Sequence, residues 1–129
     1  MAQQPLNTYK TVTGIVSTTE NYEIYSTRTG YTSIVLYAQV ANTGTGIGTV
    51  TFSHKRTNRS SSGLTTDFTE IIQGGVVPPN DSIILLEGRL VLERTALKTD
   101  AISISGISTS GGDPNYLKYT VSILETLNQ

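Results

Sequence analysis

Apolar residues along this chain recur mostly at every second position, in short runs broken by Gly, Asn, Asp, Ser or Pro. That period puts alternate side chains on opposite faces of a strand, whereas an amphipathic helix needs apolar residues at i, i+3, i+4 and i+7. Windows of the helical kind are scarce, and Gly or Thr interrupts most of them. The pattern predicts strands over residues 9–16, 21–26, 31–41, 49–55, 65–73, 82–86, 89–93, 100–107 and 116–127. In 31–41, Ile34, Leu36, Ala38 and Val40 share one face, with Val35, Tyr37 and Gln39 on the other. In 116–127, Leu117, Tyr119, Val121 and Ile123 oppose Lys118, Thr120, Ser122 and Leu124.

The breaks are as informative as the runs. Residues 42–48 read NTGTGIG, a turn expected to fold 31–41 back on 49–55 as a hairpin. Residues 56–63 (RTNRSSSG) read as a polar loop, and Gly74-Gly75 should end the strand over 65–73. Pro78-Pro79-Asn80-Asp81 marks a turn or crossover, Gly88 a bend, and 108–115 (STSGGDPN) another turn. About eight strands at roughly ten-residue spacing indicate an all-β fold, an antiparallel β-sandwich of jelly-roll or immunoglobulin-like type. Residues 10–129 form its single domain, and residues 1–9 are expected to be an N-terminal arm that contacts a neighbour.

Composition narrows the function. The chain has 129 residues, room for one domain with a real core, and 15% of them are charged, well below the usual quarter. Ser, Thr, Asn and Gln fill the polar positions instead; their side chains are less costly to desolvate than charges on a surface that will be packed. A net charge of -1 argues against nucleic acid as the main partner. No apolar stretch approaches a membrane span, and no basic-then-apolar leader opens the chain, so a soluble product made in a cytoplasm is expected.

Chemistry finds little footing. Without Cys there is no thiol nucleophile and no thiolate metal site. His54 is the only histidine, no Gly-x-Ser-x-Gly elbow accompanies it, and it is expected exposed at a strand end. Asp81, Asp100 and Asp113 lie in or beside predicted turns, where local capping is the simplest role, and no spaced ladder of calcium ligands supports another. Asp67 and Glu70, three apart, would leave opposite faces of a strand, and Gly88 lies between Glu87 and Glu93, so no glycosidase pair can be read. NTGTGIG lacks the Lys-Ser/Thr and helix of a phosphate loop. The expectation is a protein that is not an enzyme and takes no cofactor or metal.

Two features point to contacts. His54, Lys55, Arg56 and Arg59 form the one basic cluster, suited to an acidic partner surface or to simple solvation. Seven Tyr against two Phe and no Trp is the other bias, since Tyr combines contact area with a polar tip. Tyr9, Tyr31 and Tyr37 are the candidates for partner contact; a Tyr-lined face would equally suit stacking on sugars, which makes a carbohydrate-binding module the alternative function.

The motifs of the C-terminal half read Gly75, Pro79, Ile83-Ile84-Leu85-Leu86-Glu87-Gly88-Arg89-Leu90-Val91-Leu92-Glu93, Asp100-Ala101-Ile102 and Val121-Ser122-Ile123-Leu124-Glu125. With Thr11-Val12-Thr13, Tyr22, Tyr25 and Val40-Ala41-Asn42-Thr43-Gly44 upstream, the chain resembles small β-sandwich structural proteins of tailed-bacteriophage virions. The departure is residues 94–98 (RTALK), which lengthen a link that is short in that group. The resemblance implies a virion location and a subunit of capsid decoration, neck, tail or baseplate. Its partners would be copies of itself and other virion proteins, with no membrane involved.

Overall fold

The structure is a computed structural model and describes residues 7–16, 19–108 and 116–128. Nine strands follow in order: β1 (Asn7–Ile15), β2 (Tyr22–Ser26), β3 (Tyr31–Asn42), β4 (Gly48–Ser60), β5 (Gly63–Val77), β6 (Asp81–Ile84), β7 (Leu90–Leu92), β8 (Lys98–Ser108) and β9 (Leu117–Leu127). They make two antiparallel sheets, β1-β9-β3-β6 with β7 also on β3, and β2-β8-β4-β5. β6 runs beside Gln39–Asn42 and β7 beside Ser33–Val35, both along the same strand. Between them the Leu85 amide donates to the Ala38 carbonyl at 2.8 Å. β6 and β7 are thus one lane interrupted at Gly88, whose φ of 84° suits glycine. Counted as one, they give the expected eight, and the strand order is that of a jelly roll rather than an immunoglobulin sandwich.

The core forms where the inner faces meet. Phe52, Ile102 and Ile104 from one sheet pack with Val35, Leu92, Leu117, Val121 and Ile123 from the other, all essentially inaccessible to water. Each such side chain contributes roughly 1.5–3 kcal/mol through burial. β9 holds its predicted alternation throughout, but β3 does not. Val35 pairs Ile123 and Tyr37 pairs Ser122, so Leu36 is an extra residue in a bulge. One extra residue reverses every later side chain. Tyr31, Ser33 and Val35 are therefore buried before it and Ala38, Val40 and Asn42 after it.

Four expectations are corrected. First, β3 and β4 are not a hairpin: they lie in different sheets, and NTGTGIG carries the chain across. The Asn42 amide holds that crossing, donating to the carbonyls of Gly46 (2.8 Å) and Val77 (3.0 Å) while its Oδ1 accepts from the Gly44 amide. Second, residues 56–60 are strand, paired with β5 throughout and with β8 as far as Asn58, and the true hairpin is β4–β5. Backbone pairing holds a segment whose polar sequence shows no apolar alternation. Third, Gly74-Gly75 do not end β5; register shifts between Val50 and Ser53 absorb them. Fourth, Asn7–Tyr9 are not arm but the start of β1, with Asn7 opposite Thr126 on β9. Residues 1–6 and Asp113 lie outside the described residues.

Candidate interaction surface

The basic cluster sits where β4 runs past the apolar core. Its side chains alternate, so His54 and Arg56 continue the face of Val50 and Phe52, while Lys55 and Arg59 occupy the opposite face. The inward pair closes on Asp100 of β8, a carboxylate with 0% exposure. Arg56 grips it bidentately, Nε to Oδ1 at 2.7 Å and Nη2 to Oδ2 at 2.9 Å. The Glu93 amide donates to Oδ2 at 3.0 Å, and His54 Nε2 lies 3.4 Å from Oδ1. Burial would raise the Asp100 carboxyl, but the Arg56 bonds, the Glu93 amide and the nearby His54 and Arg56 charges outweigh it and hold the group below the usual carboxylate range.

This overturns two expectations. His54 is half-buried rather than exposed, and Asp100 caps no turn but is a strand residue whose carboxylate anchors the basic run. His54 Nε2 faces Asp100 Oδ1, and no hydroxyl among the described residues hydrogen-bonds His54. Among the described residues no group of three or more His, Cys, Asp or Glu could hold a metal ion.

On the opposite face Lys55 reaches Glu23 of β2 at 3.1 Å. Arg59 lines an open cleft of about 480 Å³ with Arg94, Lys98, Leu64 and Leu97. No acidic residue lines it. Arg94 donates to the Thr27 carbonyl at 3.1 Å and Lys98 pairs with Glu93 at 2.7 Å, whereas Arg59 has no carboxylate partner among the described residues. Its backbone amide, donating to the Leu97 carbonyl at 2.7 Å, fixes the cleft wall. The extended 94–98 link thus forms one side of the cleft. Of the four basic candidates, only Arg59 has no carboxylate beside it among the described residues; Lys55 and Arg56 are held by carboxylates and His54 faces Asp100.

The tyrosines divide similarly. Tyr9 (76% exposed) and Tyr37 (38%) both lie on the outer face of the β1-β9-β3 sheet, opposite Leu124 and Ser122 of β9. Tyr31 is on the inner face, buried, with the Arg28 guanidinium 4.0 Å from its ring centre. Tyr31 and Tyr37 therefore share no platform. Arg28 in turn meets Glu125 Oε1 at 3.1 Å, and the Tyr25 hydroxyl donates to Glu125 Oε2 at 2.5 Å and contacts Ser33 Oγ at 2.7 Å. Burial and the Glu125 hydrogen bond push the Tyr25 phenol well above its ordinary value. Glu125 (1% exposed) is named in the sequence only within the 121–125 motif and given no partner there, although it continues the buried alternation of Leu117 to Ile123.

The remaining exposed feature is β5. It is the outermost strand of its sheet, and residues 63–70 are exposed without exception. Leu64 (63%) and Phe68 (39%) are its exposed apolar side chains in that stretch.

No protein-family model matches this sequence, and no curated protein matches it. Among solved structures, a chain of infectious bursal disease virus, Gx strain, superposes with a TM-score of 0.50 at 11% identity, covering 95% of this chain and 32% of that one. A chain of Bacillus endospore appendages gives 0.42 at 14% identity over 98% of this chain and 93% of its own. The CBM22-1 xylan-binding domain of Paenibacillus barcinonensis Xyn10C gives 0.43 at 14% identity over 92% and 71%. The present chain spans about a third of the virus chain it matches, and the likeness between them is one of fold.

Proposed function

We propose that this chain is a non-enzymatic structural subunit of a virus particle, present in multiple copies and contacting copies of itself and other virion proteins. The observation that carries the reading is the outer half of the β4–β5 hairpin. It extends past the apolar core as a regular polar ladder, exposed along β5, beside a cation-lined cleft. Such a feature does little for the stability of an isolated chain and offers a rigid surface to a neighbour. The jelly-roll order, common among capsid domains though also found in lectins and cupins, supports the reading, as does the likeness of fold to the bursal disease virus chain. The finer assignment, to a tailed phage and to its capsid decoration, neck, tail or baseplate, rests on the resemblance carried by motifs within residues 11–44 and 75–125. Arg59, beside Arg94, would take an acidic side chain of the contacting protein.

Quantitative mass spectrometry of purified particles tests this. The chain should be a stoichiometric component; hundreds of copies would indicate a capsid or tail coat, and about six or twelve a ring at the neck or baseplate. Absence from washed particles would reject the reading. A second reading, glycan binding, is favoured only by Tyr9 and Tyr37 sharing one exposed face. It requires glycan-array signals that vanish in Tyr9→Ala or Tyr37→Ala.

A further inference from the structure

We infer that the free edge of β5 over residues 63–70 pairs antiparallel with the same segment of a second copy, about a two-fold axis through Thr66. The inference deepens the self-assembly part of the proposed function and names the surface.

An edge strand presents a row of backbone N–H and C=O groups that seek another strand. Natural edges are blunted by shortness, bulges, Pro or inward charges. The other edge of this sheet follows that rule: β2 has 5 residues and a register shift between Glu23 and Tyr25. β5 has 15 residues. From Ser60↔Gly63 to His54↔Thr69 its register runs without a shift, residues 63–70 contain no Pro and no Lys, and the one carboxylate on the inward face, Asp67 opposite Arg56, accepts from Asn58 Nδ2 at 3.1 Å. The shifts begin only beyond, where Ser53 pairs Glu70 and Phe52 pairs Ile72. The regular half is therefore open to strand addition and the irregular half is not.

The side chains select a second copy as the occupant. A two-fold axis through Thr66 places Leu64 opposite Phe68 of the second copy, Thr65 opposite Asp67, Gly63 opposite Thr69 and Ser62 opposite Glu70. Both exposed apolar residues then find apolar partners, and neither acid meets an acid. Moving the axis to Asp67 would set two carboxylates face to face; moving it to Thr65 would leave Phe68 against Ser62. Within each copy Phe68 pairs Lys55 and Leu64 pairs Arg59. The dimer row thus reads Lys55, Phe68, Leu64, Arg59, an apolar centre flanked by two long aliphatic stems. Such cross-strand pairs are the stabilising unit of an antiparallel sheet, and the contact is isologous as two-fold symmetry demands.

The chain has no Cys, so introduced thiols report unambiguously. Thr66→Cys should cross-link to itself through a short bis-thiol reagent. A mixture of Leu64→Cys and Phe68→Cys chains should yield mixed dimers in excess over either homodimer. Sedimentation equilibrium should show wild-type dimers, with Phe68→Thr, which sets no second cation opposite Lys55, raising the dissociation constant at least about tenfold while Tm matches wild type at concentrations where both are monomeric. Wild-type protein that stays monomeric at millimolar concentration overturns the inference, as does Thr66→Cys cross-linking no better than an exposed-loop control, Thr45→Cys. Particle incorporation is scored separately. A chain found in particles but never cross-linked through Thr66 defeats the edge pairing alone; a cross-linked dimer absent from particles defeats the virion reading alone.

Discussion

The two halves of the β4–β5 hairpin share one ladder and are built on opposite terms. At the root, Gly48–Ser53 of β4 is buried, Val50 and Phe52 enter the core, and the partner strand is bulged. At the tip, residues 63–70 are exposed, the register is regular, and Leu64 and Phe68 stand in solvent. Asp100 marks the boundary, turning His54 and Arg56 inward at the point where the apolar core gives out. The root is held by apolar burial, whereas the tip is held in shape by charge and backbone pairing and leaves its outer edge exposed.

The comparison breaks first at the root. Ile104→Asp places a carboxylate in the apolar core with no partner, and soluble folded protein should not be recovered; a cooperative melt for that variant would refute the core assignment. At the boundary, Asp100→Ala strands the Arg56 guanidinium and the Glu93 amide, and should cost on the order of 3 kcal/mol in denaturant melts. The pH dependence follows from the lowered Asp100 pKa. A depressed carboxyl stabilises the fold above its unfolded value of about 3.9, and that contribution is lost as pH falls through the folded value. Wild-type Tm should therefore drop below about pH 4, and Asp100→Asn should flatten that part of the profile.

Smaller effects sharpen the contrast. At the root, a Cβ on Gly106 would lie 2.5 Å from the Thr49 carbonyl oxygen and 3.0 Å from Val16 Cγ1. Gly106→Ala should thus cost about 1–3 kcal/mol by thermal melt. At the tip, Arg59→Ala should shift stability by less than about 0.5 kcal/mol while reducing incorporation into the proposed particle.

Much of the fold was legible because burial on one face writes period-two patterns. β9 shows it from Leu117 to Ile123, while in β8 Ile102 and Ile104 are placed as read although Ser103 and Ser105 on its other face are buried too. What the sequence hid was backbone pairing without burial. Residues 56–60 look like a loop because neither face needs apolar side chains, yet β5 pairs all of them and β8 pairs them as far as Asn58. The bulge at Leu36 was equally silent, since an apolar residue on every position suits either register. Of the surface, the cluster from His54 to Arg59 was found, but not its division. Only pairing with Asp100, far along the chain, separates the anchored Arg56 from the presented Arg59.

The account turns on the tip of the hairpin being a contact surface, and hydrogen exchange reads it directly. Amide exchange should be compared at micromolar and near-millimolar protein, residue by residue along β5. The account predicts that protection rises with concentration within residues 63–70, while root residues from Ile72 to Val77 keep the same rates. Rates at 63–70 that ignore concentration, or protection that rises elsewhere instead, would contradict it.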